Sequence, residues 1–204
     1  MKKVIIIGAG GHGKVAADIV RLSGDEVIGF LDDKPPENLV GFDVIGNTGD
    51  IGKWSDCLYF AAVGNAVIRK KIMNKNVPWY TAIHPTAVIA DDVKIDEGTL
   101  LAANSVVNSG SEIGRGCIIN TAATVDHDCI LEDFVHISPG AHLSGSVKIG
   151  SGTWVGVGAC VVNNVEICGG CTIGAGAAVI KNIGEAGTYV GVPTEKSTNT
   201  KVEL

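Results

Sequence analysis

From Ile83 to Val179, every sixth residue of this 204-residue chain is Ile, Leu or Val, seventeen positions without a slip of phase. The column passes through Ile95, Ile113, Leu131, Ile149 and Ile167. Two residues earlier stands a second column, from Thr81 through Ser111, Cys117 and Cys129 to Ala177, in which every side chain is small or is Val. The residue after the aliphatic one is repeatedly Gly, Asn or Asp, as at Gly114, Asn120, Asp126 and Gly150. A helix repeats roughly every 3.6 residues and a plain strand every two, so neither keeps this pattern on one face. A six-residue period marks a β-helix, in which three short strands close one triangular turn. The two columns then fill the inside of the prism.

The repeat leaves about 80 residues in front, enough for a small separate domain. A net charge of −6 and the absence of any basic run argue against nucleic acid as a partner. No apolar run approaches the ~18 residues that would cross a bilayer. The opening Met1-Lys2-Lys3 followed by Val4-Ile-Ile-Ile7 resembles a signal peptide only faintly, since the run ends in a glycine loop, and it reads as a first strand. Cys168-Gly-Gly-Cys171 has the spacing of a redox or zinc pair. Cys117, Cys129 and Cys171, however, fall in the small interior column, where a thiol is a compact apolar filler. Without a framework of spaced cysteine pairs, the expected compartment is the reducing cytoplasm.

In the front segment, Lys3–Ile7 reads as a strand, Gly8-Ala-Gly10-Gly11-His12-Gly13 as a glycine loop, Lys14–Leu22 as a helix and Glu26–Leu31 as a second strand ending in Asp32-Asp33. Strand, G-x-G-x-x-G turn, helix, strand and acid form the context of a nucleotide-binding loop. Leu58–Val63 reads as a further strand, followed by Gly64-Asn65 and a helix over Val67–Met73. Such a unit could hold NAD in an oxidoreductase, or a nucleotide-activated sugar presented to the coil. A full dinucleotide fold needs two mononucleotide halves, and about 80 residues supply roughly one and a half. With His12 inside the loop as well, the sugar nucleotide is the better reading.

Residues 18 apart lie on adjacent turns of the coil, roughly 4.8 Å apart. His127, two after the interior Val125, therefore points outward at a corner, and Gly145 stacks on it one turn later. A glycine amide beside an outward imidazole offers an oxyanion donor beside a base. Asp126 and Asp128 flank His127, and either could orient its ring. No His or acidic cluster suggests a metal.

Gly8–Lys14 with Asp32-Asp33, Gly64-Asn65, Asp126-His-Asp-Cys129, Phe134-Val-His-Ile137 and the closing Tyr189-Val-Gly-Val-Pro193 together resemble one family across essentially the whole chain. It is the bacterial sialic acid O-acetyltransferase family, which includes N-acetyltransferases acting on UDP-linked and other nucleotide-linked 4-amino-6-deoxy sugars of the bacillosamine type. The family ends in Gly-x-Pro-Ala-Lys, where this chain has Gly191-Val-Pro-Thr-Glu-Lys196. The resemblance implies an α/β half-Rossmann domain (1–82), a left-handed parallel β-helix of hexapeptide repeats (83–184) and a tail (185–204). It also implies a homotrimer with acetyl-CoA as donor between adjacent coils. It assigns His127 as general base and Asp128 as its acidic partner, with the Gly145 amide and His136 near the acetyl group and the pantetheine arm along Val157 and Ala175. Gly10, Gly11, His12, Asp32, Asp33 and Asn65 fall on the sugar side. O-acetylation of sialic acid and a non-catalytic sugar-nucleotide scaffold are the competing readings.

Overall fold

The computed structural model describes residues 1–34, 36 and 41–198. The front segment is a four-stranded parallel sheet of β1 (Lys3–Ile7), β2 (Glu26–Leu31), β3 (Val44–Gly46) and β4 (Leu58–Ala61), in the spatial order β3-β2-β1-β4. Helix α1 (Gly11–Leu22) joins β1 to β2, and α2 (Ala66–Met73) follows β4. A central parallel strand covered on both faces reads as an unbroken apolar run, and Val4 to Ile7 are all buried. The helices start earlier than their apolar spacing suggests. α1 begins at Gly11, not Lys14, because the glycine loop itself winds into the first turn with Gly10 at the N-cap. α2 begins at Ala66, where the Asn65 side chain accepts the Ile68 amide at 3.1 Å and so caps the helix. β4 stops at Ala61, short of Val63, and β3 is three residues long, too short to leave a periodic signal.

From Ala82 the chain winds as the hexapeptide column requires. Two-residue strands pair in parallel with partners 18 residues on, as in Glu112↔Ile130, Ile118↔His136 and Thr124↔His142. The first wall of the prism runs from Ala82–Ile83 through His136–Ile137 and Trp154–Val155 to Thr172–Ile173. The second runs from Val88–Ile89 to Ala178–Val179, and the third from Lys94–Ile95 to Glu166–Ile167. The aliphatic and small columns meet inside as one core, including Leu101, Cys117, Val125, Cys129, Ile149 and Cys171. Ile83 departs from its column: it lies on the open first turn and is 36% exposed. At the other end, Thr188–Val190, within the stretch expected as tail, adds another strand to the first wall, and Glu195–Lys196 folds back antiparallel to it. The end of that tail, 199–204, lies outside the described residues.

The corners are turned by one residue per hexapeptide with positive φ, at every sixth position from Gly98 to Gly176. This is the third residue after the aliphatic one, not the Gly/Asn/Asp position directly behind it. Most are glycine, but Asn104, Ala122, Asp128, Phe134, Ser146 and Asn164 take φ of 54–62° as well, a conformation that costs a side-chain-bearing residue about 1–2 kcal/mol.

The three walls meet different surroundings. Outward residues of the first wall, Ala82, Leu100 and Ile118, join Val4, Ile6 and the buried side of α1 in a shared apolar core. The third wall carries Lys94–Glu112 and Lys148–Glu166 ion pairs at 2.6 and 2.8 Å, a solvated ladder. The second shows Val88, Val106, Thr124, His142, Cys160 and Ala178, with no carboxylate, lysine or arginine.

Arg69 locks the front domain to the coil. It is 1% exposed. Its Nε donates to the Gly116 carbonyl at 2.7 Å and Nη2 to that of Phe134 at 2.7 Å, while Nη1 donates to Val63 and Gly64 at 2.8 and 2.7 Å. A buried cation is tolerated when its donors are paired, and four carbonyls take four of its five N–H groups here. Arg69→Leu should strand the buried Gly116 and Phe134 carbonyls, costing about 2–6 kcal/mol at about 1–3 kcal/mol each. Urea unfolding followed through the front-domain tryptophans Trp54 and Trp79 measures it, and a loss below about 1 kcal/mol would refute the lock.

Candidate active site

The expected acceptor-side residues gather at the carboxyl end of the front sheet. Gly13 is buried in the first turn of α1, where a Cβ would stand 2.0 Å from the Gly8 carbonyl oxygen, so the close approach of loop and helix requires glycine. The Asp32 carboxylate accepts the Ala9 amide at 2.7 Å and the Lys34 amide at 2.7 Å, which ties β2 to the glycine loop. Asp33 accepts the Thr48 amide at 2.9 Å, and this bond with that of the Thr48 hydroxyl holds the Asp33 carboxyl below its usual pKa. Gly10 and Gly11 are exposed, with open space where a Cβ would stand.

His12 projects from the first turn of α1, and its buried Nε2 has no hydrogen-bond partner among the described residues. Burial first, and the Arg69 charge second, lower its pKa to about 4. His136 leaves the first wall on the same seam, 8% exposed and stacked on Trp154 with ring centroids 5.3 Å apart. Burial, then Arg69 and His12, lower its pKa to about 3, so both rings are neutral near pH 7. The tautomer of His136 follows from its neighbour. Asn120 Oδ1 accepts the Thr121 amide at 2.9 Å, which turns Nδ2 towards His136 Nε2 at 3.2 Å. That nitrogen must accept, so the proton sits on Nδ1, which is buried and, among the described residues, a donor with no acceptor. A cleft of about 160 Å³ lies here, between Gly64–Val67 on one bank and His136, Trp154 and Gly170–Thr172 on the other.

His127 sits at a different edge, between the second and third walls, with its side chain 59% exposed. Of its two acidic neighbours the structure distinguishes the roles. Asp128 Oδ2 lies 2.8 Å from His127 Nδ1, whereas Asp126 accepts the His127 amide at 2.9 Å and Asn108 Nδ2 at 2.8 Å, away from the ring. Asp128 can hold Nδ1–H, leaving the Nε2 lone pair outward. The same hydrogen bond, ahead of the Asp126 and Asp128 charges, raises the His127 pKa. Gly145 lies against the ring: a Cβ there would stand 2.5 Å from Cε1 and Nε2, and its amide has no partner among the described residues. Val157 and Ala175 stack on the remaining edge, between the first and second walls, around an apolar cavity of about 100 Å³ shared with Trp154 and Ile173. His136, Asn120, Val157 and Ala175 therefore occupy one side of the prism, and His127 with Gly145 another; one chain does not bring them together.

Sequence reasoning missed Arg69, Asn120 and Trp154. Counting 18 residues from His136 reaches Trp154, an available signal. Arg69 had none, because its partners are backbone carbonyls 47 and 65 residues away.

A triangular coil of hexapeptide turns, with an outward imidazole packed against a glycine one turn on, has the architecture of the hexapeptide-repeat acyltransferases. A family model described as the PglD N-terminal domain matches residues 3–76. UDP-N-acetylbacillosamine N-acetyltransferase of Bacillus subtilis (strain 168) is 35% identical over 121 residues, 50% of this chain and 52% of that protein. The chain thus spans about half the length of that curated relative. Among solved structures, the acetyltransferase domain of PglB from Neisseria gonorrhoeae FA1090, in complex with acetyl coenzyme A, superposes with a TM-score of 0.93 at 40% identity, covering 96% of this chain and 99% of that one. PerB from Caulobacter crescentus, in complex with CoA and GDP-perosamine, gives 0.90 at 33% identity, covering 97% and 98%. The chain belongs to the hexapeptide-repeat acetyltransferases that carry a PglD-type N-terminal domain.

If His127 must be neutral to accept a proton, activity rises with pH through its raised pKa, above that of a free imidazole. Asp128→Asn should move that rising limb to lower pH and reduce kcat. A kcat/KM profile over about pH 5.5–9 checks it, and an unmoved limb would contradict the pairing.

Proposed function

We propose that this protein transfers the acetyl group of acetyl-CoA to the 4-amino group of a nucleotide-linked, and in particular UDP-linked, 4-amino-6-deoxy sugar. The observation that carries the reading is the His127 ring, fixed by Asp128 and packed against Gly145, whose amide has no partner among the described residues. Acetyl-CoA supplies the activated acyl group. His127 Nε2 takes the proton from the attacking amine, Asp128 holds the imidazolium that results, and the Gly145 amide donates to the developing oxyanion. The apolar cavity at Val157 and Ala175 fits the pantetheine arm, and Trp154 walls it. The front domain supplies one mononucleotide half with four strands, which supports a nucleotide sugar and not a dinucleotide. Gly10, Gly11, His12, Asp32, Asp33 and Asn65 hold it through the glycine loop and the start of α2.

The site is completed by a second subunit. His127 and the donor edge flank opposite margins of the second wall, whose outward residues include no carboxylate, lysine or arginine. Depletion of charge marks the core of an interface. A closed trimer, with this wall against a neighbour, sets the base edge of one subunit beside the donor edge of the next three times.

His127→Ala should lower kcat by roughly 10²–10⁴-fold, the usual worth of a positioned base, with acetyl-CoA binding retained. Thiol release measured against UDP-, dTDP- and GDP-linked 4-amino sugars and sialic acid identifies the acceptor. Release with none of the amino sugars would overturn the reading, as would micromolar NAD binding by calorimetry.

Shared sites make a separate demand. When inactive His127→Ala and impaired His136→Ala subunits are co-expressed with different tags, random mixing should rebuild about a quarter of the sites with both histidines, by the pairing count of a closed ring. Mixed trimers with activity no higher than the separate variants would exclude a site formed between subunits.

A further inference from the structure

Cys168-Gly-Gly-Cys171 has no part in the chemistry above, and packing explains only half of it. Cys171 fills the small interior column, 1% exposed, as Cys117 and Val135 do on earlier turns. Cys168 stands at a corner, where the equivalent residues are Gly114, Glu132 and Gly150, so nothing in the coil calls for a thiol there. Of the six cysteines, all unpaired, these two alone have their sulfurs within reach of each other, Sγ to Sγ 3.5 Å. The backbone between them is Gly169-Gly170, with Gly170 at φ 73°. Two glycines are the residues best able to absorb the shift of about 1.5 Å that brings the sulfurs to the ~2.05 Å of a disulfide.

The corner also forms one bank of the cleft that holds Asn65, through Gly170, Cys171 and Thr172, and on the function proposed above this is the acceptor cleft. The Cys171 carbonyl accepts the Trp154 amide at 2.8 Å, and Trp154 stacks on His136. A movement of the corner is therefore passed by one hydrogen bond to the ring under His136.

We propose that Cys168 and Cys171 form a reversible oxidation site, whose closure to a disulfide by a peroxide reshapes the acceptor cleft and lowers acetylation. The sulfur of Cys168, the less buried, attacks one peroxide oxygen; the O–O bond breaks, one water leaves, and Cys168 becomes a sulfenic acid. The Cys171 sulfur then attacks that of Cys168, the S–S bond forms, and the hydroxyl departs with the Cys171 proton as a second water. Two sulfurs have lost two electrons and the peroxide has gained them.

The effect on activity rests on the acceptor cleft assigned above; the bond itself does not. Full-length protein is treated with hydrogen peroxide, and the intact mass and a peptide map are recorded beside kinetics in both substrates. The expected result is a loss of two hydrogens mapped to the 168–171 peptide and a roughly ten-fold fall in acceptor kcat/KM, the scale of a displaced site. Dithiothreitol should restore activity, and Cys168→Ser should be indifferent to peroxide. Oxidation elsewhere without a 168–171 bond overturns the proposal, as does a mapped bond with acceptor kcat/KM unaltered. Were the reduced protein inactive on every amino sugar, the assigned function would fail, while the mapped bond would still decide the chemistry of the pair. Should Cys168→Ser fail to fold, the wild-type map and its reversal by dithiothreitol suffice.

Discussion

The whole molecule depends on a backbone constraint at the corners of the prism. Each wall can be only two residues long because the chain must enter a left-handed conformation every sixth residue. Where glycine occupies that place the cost is small; where Asp128 or Phe134 does, the structure must hold a disfavoured conformation. Of the six corners without glycine, these two stand beside candidate functional groups. Asp128 turns the corner and reaches Nδ1 of His127 with the same side chain. Phe134 turns the corner two residues before His136 and has its carbonyl gripped by Arg69. Strain at Asp128 is thus balanced by a contact that also orients an imidazole.

The three walls divide the labour of the surface. One is covered by the front domain, one is ionic and solvated, and one is uncharged. The two candidate half-sites lie on edges of the uncharged wall, so the trimer contact proposed there would have a chemical purpose beyond burial. Neutral His12 and His136 on the seam, and a raised His127 on the open edge, show one residue type tuned in opposite directions by burial and by a carboxylate.

Much of this was legible in the residues. The aliphatic column from Ile83 to Val179 dictated the coil, and because partners are a fixed 18 apart, the stacking of Gly145 on His127 followed by counting. Which aspartate meets the ring did not follow, since Asp126 and Asp128 are equidistant in sequence and only the positive φ at Asp128 swings its carboxylate to Nδ1. The starts of α1 and α2 were misjudged because apolar spacing says nothing of a first turn made of glycine or of an Asn65 cap. Arg69 stayed invisible for a different reason: its partners are carbonyls, which every residue has, and only the folded chain selects four of them.

The parallel stacking of identical turns has a further consequence. Along the axis the coil is a ruler graduated in steps of roughly 4.8 Å. A whole turn can be added or lost without disturbing any corner or column, so the height between the proposed base and the end of the proposed pantetheine groove changes only in those steps. Reach for a longer or shorter acyl carrier is therefore quantised in this architecture, and intermediate lengths have to be met by side chains on the groove, of which Val157, 56% exposed at its margin, is the most adjustable.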